Sequence, residues 1–143
     1  MPWRFLDDRA IADVAFRATG ESLEELFRAS VDAATSAMLP DLTTLESRER
    51  RDVSLSARDV EMLLFELLQE VIFLKDAESL LVRLVSMRFS MDPARASLAA
   101  TLRGEKIDAR RHELRGDVKG VSLYRYQVRE SPTGWEAEVI LDV

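Results

Sequence analysis

Apolar residues recur along this chain at two different spacings, and the change of spacing marks its elements. From Leu23, the positions Leu26, Phe27, Val31, Ala34 and Met38 follow at helical intervals and line one face of a helix. Ser22-Leu23-Glu24-Glu25 opens it as a capping box, in which a hydroxyl and a carboxylate serve backbone N–H groups that the first turn leaves free. Pro40 ends it. A second helix is predicted from near Ser56, with Asp59 at the reciprocal capping position. Val60, Leu63, Leu64, Leu67, Val71 and Leu74 form its apolar stripe, which Phe65, Leu68 and Ile72 widen. So broad a stripe predicts a helix wedged between a sheet and a further surface, either the first helix or a neighbouring subunit.

Elsewhere the period is that of strands. Val14 to Ala18 forms a short run before a Thr19-Gly20 turn, and Val53 and Leu55 mark another. Leu80 to Ser90 is apolar at its start and then alternates. Ala96, Leu98, Ala100 and Leu102 alternate with polar neighbours after a Met91-Asp92-Pro93 turn, as in a half-buried hairpin. From Ile107 to Val143, two long alternating runs flank the Ser131-Pro132-Thr133-Gly134 turn and give a last hairpin. Two helices and about six or seven strands point to an α+β fold. Both helices are expected on one face of a mixed, largely antiparallel sheet, in a two-layer single domain over residues 1–143.

Composition narrows the chemistry. The chain has 143 residues, 47% hydrophobic and 32% charged, an ordinary balance for a domain with its own core. With no cysteine and one histidine, disulfides and thiolate metal sites are excluded and zinc is disfavoured. No apolar run approaches the ~20 residues of a membrane span, and no signal-peptide core opens the sequence; a cytoplasmic protein is expected. A net charge of -6 argues against phosphate-backbone binding as the main activity. Arg48, Arg50 and Arg51 are interleaved with Glu46 and Glu49 and read as a solvated loop; Arg110 and Arg111 form a second basic pair.

A few polar residues stand where the pattern does not call for them. Asp13 begins an apolar strand, where propensity disfavours aspartate; it either caps the preceding turn or is a metal or catalytic carboxylate. Asp7 and Asp8, just upstream, are second-rank candidates. Asp142 follows the parity of Glu136, Glu138 and Ile140 and sits beside Val143, so that a strand end can offer two carboxylates. If the fold brings Asp13 to Asp142, like charges at close range would raise a pKa or recruit a cation, and oxygen-only ligands favour calcium, magnesium or manganese. Lys119 shares parity with Val121 and Leu123, which places a cation on an apolar face near such a cluster, or snorkelling from it. His112 lacks a serine or cysteine partner motif, and a structural role is expected. No glycine-rich phosphate loop, G-x-S-x-G elbow or H-E-x-x-H is present, so the chain is not expected to be a self-sufficient enzyme.

Three segments, FLDDRAIADVAFRATGESLEELF, IDARRHELRGDVKGVSLYRYQV and GWEAEVILDV, resemble the archease family over nearly the whole chain. The R-H followed by V-K and the W-E-A-x-V-I-L-D-V ending carry the resemblance. It implies a small α+β protein that assists a GTP-dependent, RtcB-type tRNA-splicing RNA ligase, promoting transfer of GMP to the ligase and its repeated turnover. It also implies an acidic metal site, with calcium the usual ion. By position, the family's strand-start aspartate falls on Asp13, its late-strand lysine on Lys119 and its terminal aspartate on Asp142, with Val143 adding an oxygen. His112 and Asp8 are secondary. One motif departs: the family pattern F-L-D-H-T-A-D-V is here Phe5-Leu6-Asp7-Asp8-Arg9-Ala10-Ile11-Ala12-Asp13-Val14, two residues longer and without the histidine. Two other functions fit the residues: a chaperone-like binding module using the apolar face of the second helix, and a small metal-dependent hydrolase using the same carboxylates.

Overall fold

The computed structural model describes residues 2–6 and 13–143. Chain order gives β1 (Trp3–Leu6), β2 (Val14–Gly20), α1 (Leu23–Met38), a 3-10 turn (Leu42–Thr44), β3 (Glu49–Ala57), α2 (Val60–Glu78), β4 (Leu80–Asp92), β5 (Arg95–Lys106), β6 (Gly120–Ser131) and β7 (Gly134–Asp142). This is an α+β fold, as the alternation of spacings predicts. The strands form two sheets rather than one, ordered β1-β2-β7-β6 and β3-β5-β4, and every pairing among the described strands is antiparallel.

The caps fall close to where the sequence puts them. Ser22 Oγ accepts the Glu25 N–H at 3.2 Å, and Glu25 reaches back to the Glu21 N–H at 2.7 Å. At the second helix the cap is Asp59, whose Oδ1 accepts the Met62 N–H at 2.8 Å. Ser56 is not part of that helix. It pairs with Ser97 in the β3–β5 ladder, which continues to Ala57 and delays the helix by a turn. Thr19 and Gly20 likewise belong to β2, opposite Glu136 and Trp135. β1, which the alternation does not announce, pairs with β2.

The final hairpin is shorter than expected, because residues 107–119 are not strand. A tight turn runs from Asp108, whose carbonyl accepts the Arg111 and His112 N–H groups. At the hairpin tip Gly134 has φ +144, and a Cβ there would stand 2.2 Å from the Gly20 carbonyl oxygen, so only glycine lets the two strand ends meet.

One core joins both sheets and both helices. Leu63, Leu64, Leu67 and Leu68 of α2 are wholly buried, each contributing about 1.5–3 kcal/mol. The breadth of that apolar stripe is explained within the chain: α2 packs on α1 and on strands of both sheets. It also serves the open edge of β6. Gln69 Oε1 accepts the Val121 N–H at 3.1 Å, Glu61 Oε2 accepts the Val128 N–H at 3.0 Å, and the Tyr126 hydroxyl donates to the Glu61 carbonyl at 2.6 Å. Strand edges left bare invite pairing with other chains, and here side chains occupy part of one.

Candidate functional site

β7 lies between β2 and β6, and this order decides what meets at its end. Val14 pairs with Leu141, so Asp13 stands one residue beyond the ladder on the side of Asp142. On the other flank Asp142 pairs with Gly120, and the Lys119 N–H donates to the Asp142 carbonyl at 2.8 Å. Residues from near the start, the late middle and the end of the sequence therefore converge at one end of the four-stranded sheet. Gly120 leaves room beside the carboxylate: a Cβ there would lie 3.7 Å from Asp142 Oδ2.

Asp13, Asp142, Val143 and Lys119 are all exposed. Lys119 precedes β6 and does not lie on an apolar face. The parity with Leu123 fails because β6 is irregular between Ser122 and Gln127, where Arg125 takes φ 56, and Leu123 itself is exposed. Asp142 keeps the parity of Glu136 and Glu138, opposite the buried Ala137, Val139 and Leu141. The carboxylate oxygens of Asp13 and Asp142 make no hydrogen bond or ion pair among the described residues, so both can serve a hard cation, for which oxygen donors are the matching chemistry. Among the described residues no group of three or more histidine, cysteine or acidic side chains is close enough to enclose a metal. A cation held here would therefore take further oxygens from water or a partner. Asp7 and Asp8 lie outside the described residues.

Behind the exposed residues is a buried support that the sequence reading missed. Lys75 of α2 donates from Nζ to the Val118 carbonyl at 2.8 Å and to Asp117 Oδ1 at 2.5 Å, and also pairs with Asp76. Burial lowers the lysine pKa, but the bonds to Asp117 and Asp76 more than offset it and leave it above the ordinary value. With Val118 fully buried and Gln69 holding Val121, the backbone on both sides of Lys119 is fixed while its ammonium has no partner among the described residues. The signal was present in the sequence: Lys75 falls one turn after Val71, on the apolar stripe.

His112 is elsewhere, and it is structural. Its ring is buried, with Nδ1 accepting the Asp108 N–H at 2.9 Å, which leaves Nε2 to donate to Glu105 Oε1 at 2.8 Å. Glu105 also takes Arg111 at 2.5 Å, Arg48 at 3.3 Å and the Glu46 N–H at 2.9 Å. The Arg111 hydrogen bond leads in holding its carboxyl down to about 2; burial opposes, and the Glu46 amide and His112 assist. Arg48, Arg50 and Arg51 are not a free basic loop. Arg50 and Arg51 lie in β3, and the three guanidiniums pair with Glu46 and Glu105, with Asp52, and with Glu49 and Glu78.

Sequence comparison matches residues 3–143 to the archease protein family (MTH1598/TM1083). The archease protein of Pyrococcus abyssi is 31% identical over 133 residues, covering 92% of this chain and 93% of that one. That of Thermococcus gammatolerans is 32% identical with the same coverage. Protein 1598 of Methanobacterium thermoautotrophicum, solved in solution, superposes with a TM-score of 0.84 at 29% identity and covers 99% of both chains. An archease of Thermotoga maritima, described as a possible chaperone, shares the fold at a TM-score of 0.55 and 16% identity. With the family's pattern matched from Trp3 to Val143 and its fold reproduced in both sheets, the chain belongs to the archease family.

Proposed function

We propose that this archease is a protein cofactor of an RtcB-type RNA ligase, working through the end of the four-stranded sheet where Asp13, Lys119 and Asp142 meet. That convergence supports the reading: three exposed charged residues, far apart in sequence, stand at the neighbouring ends of β2, β7 and β6, with Lys75 and Gln69 holding the backbone beside Lys119. Asp13 and Asp142, with an oxygen of Val143, would hold a hard divalent cation, calcium by the family resemblance, and the ion would add positive charge at the tip. Lys119 presents a second, exposed cation just before β6. Such a tip reaches into a partner's anionic centre and biases the arrangement that accepts GMP. Its contribution is electrostatic and positional, because no nucleophile accompanies it.

The test is ligase guanylylation and multiple-turnover ligation with the cognate enzyme. The unmodified protein is expected to stimulate both, and Asp13→Ala, Lys119→Ala and Asp142→Ala to lose stimulation by roughly tenfold or more while keeping their melting temperatures. Undiminished stimulation by all three variants would remove the tip from the mechanism. A general chaperone-like module remains the second reading, in keeping with the role suggested for the Thermotoga protein. The α2 face that would serve it is taken up by the core, leaving Phe73 as the large apolar side chain exposed on that helix. Under that reading Phe73→Ser, rather than the carboxylate variants, abolishes activity.

A further inference from the structure

The two sheets treat charge on their outer faces in opposite ways. On the four-stranded sheet, opposite charges face each other: Arg17 is registered with Glu138 and bonds to it at 2.5 Å, and Glu136 is registered with Arg129 at 2.7 Å. On the three-stranded sheet, Arg50 is registered with Arg103 and Arg103 with Arg83, a row of three guanidinium side chains abreast. Like charges directly across a ladder are destabilising, so this row costs stability. Asp52 and Asp32 offset two of its members, Arg50 and Arg83. Arg103 reaches only the Ser47 hydroxyl and carbonyl. Further along the same face, Arg95 reaches only the Ser56 hydroxyl, and Arg88 makes no ion pair or hydrogen bond among the described residues. Among the described residues, three guanidiniums thus bond to no carboxylate, although Asp92 is registered opposite Arg95 and accepts its backbone N–H, in a chain whose net charge is -6.

The floor between them is built of small side chains. Ser54, Ala99 and Arg88 form one cross-strand row and Ser56, Ser97 and Ser90 the next. Two adjoining shallow depressions share Ser54, Arg88 and Ala99: one of about 550 Å³ lies over both rows, and one of about 490 Å³ runs on over Asp52, Thr101 and Ser86 to Arg50. We infer that this face is a docking surface for the phosphodiester backbone of a nucleic acid. Guanidiniums supply paired donors matched to phosphate oxygens, and serine hydroxyls supply more at close approach. An acidic polypeptide fits less well. Stable protein interfaces centre on buried aromatic or aliphatic anchors, and the outward positions of these two rows carry none. No aromatic ring stands at the outward positions of these rows to stack a base, so binding is to the backbone and indifferent to sequence. The net charge of the chain does not oppose this, because this face sets Arg50, Arg83, Arg88, Arg95 and Arg103 against Asp52 and Asp92 and so is locally basic. The inference does not rest on the ligase reading, and its test contains no ligase.

Fluorescence anisotropy with labelled RNA of two unrelated sequences, and with the DNA equivalent of each, reads binding from about 50 mM salt upward. The two sequences are expected to bind alike. The double variant R88E/R103E should weaken binding at least tenfold and lower the salt slope by about two phosphate contacts. R88S/R103S, which removes charge without reversing it, should weaken binding less in the same direction. R110E reverses a side chain that is 91% exposed on another surface and should leave affinity unchanged. Thermal melts establish that each variant is folded. The inference is overturned by absence of binding at low salt, by equal loss in R110E and R88E/R103E, or by polyglutamate that binds this face more tightly than RNA does.

Discussion

At Glu105 a buried carboxylate meets Arg111, Arg48, His112 and the Glu46 amide together, and so ties the 107–112 turn to β5 and to the segment before β3. Its pKa in the fold, about 2, lies below the ordinary 4.5, so the native contacts favour the ionised form. The stability this contributes is complete above about pH 4.5 and is lost as pH falls through about 2. Glu105→Gln is therefore expected to destabilise the protein by about 2 kcal/mol at neutral pH, with the difference narrowing in urea titrations below pH 4.5. Lys75 acts differently, since it holds the Val118 carbonyl from behind the tip. Lys75→Met keeps the stem's packing and removes the hydrogen bonds. It should lower ligase stimulation without touching Asp13, Lys119 or Asp142, and amide exchange at Lys119 should quicken. At this scale the sequence marked Asp13, Asp142 and Lys119 through local pattern and resemblance. It could not show Gln69 or Asp117 as supports, because their partners lie 52 and 42 residues away.

Among the elements, helices were the most legible, because caps and apolar stripes are local. Asp59 illustrates both the success and its limit: a carboxylate three residues before a free N–H announces a cap, but the pull of the β3–β5 ladder on Ser56 is invisible without β5. Asp59→Ala should cost about 1 kcal/mol in chemical denaturation, with no change in the slope of the transition. The tip of the last hairpin is less forgiving. Gly134→Ala forces a side chain into a φ of +144 and against the Gly20 carbonyl, and is expected to cost at least about 2 kcal/mol. Strand existence was readable from alternation. Strand partners were not, nor was the start of the last hairpin: the alternation expected from Ile107 is broken by Arg110-Arg111-His112-Glu113, where the Asp108–His112 turn satisfies its backbone internally.

Over the whole molecule, the division of seven strands into two sheets is the feature that pattern alone did not reveal, since alternation specifies a face and says nothing of which sheet a strand joins. The helices make the two sheets one body. Leu67 is wholly buried in the shared core, and Leu67→Ala should lower stability by about 3 kcal/mol. Both tryptophans, Trp3 and Trp135, belong to the four-stranded sheet, while far-ultraviolet dichroism follows α1 and α2. Unfolding curves from the two signals are expected to coincide in that variant as in the parent, as for one cooperative unit; separated midpoints would mean that the sheets unfold independently.

The placing of β7 between β2 and β6 has a consequence for how the protein is made. Of the seven strands, β7 is the last to leave the ribosome, yet it is the only partner that β2 and β6 share. Until it emerges, the β1–β2 hairpin and β6 are separate pieces, whereas the β3-β5-β4 sheet already has all its strands. Residues 13 and 119 are then translated but unconnected, with nothing to hold them side by side. The juxtaposition of Asp13, Lys119 and Asp142 thus comes into being only with β7. On the function proposed above, a chain stopped before β7 lacks the assembled tip and is expected not to engage a partner through it.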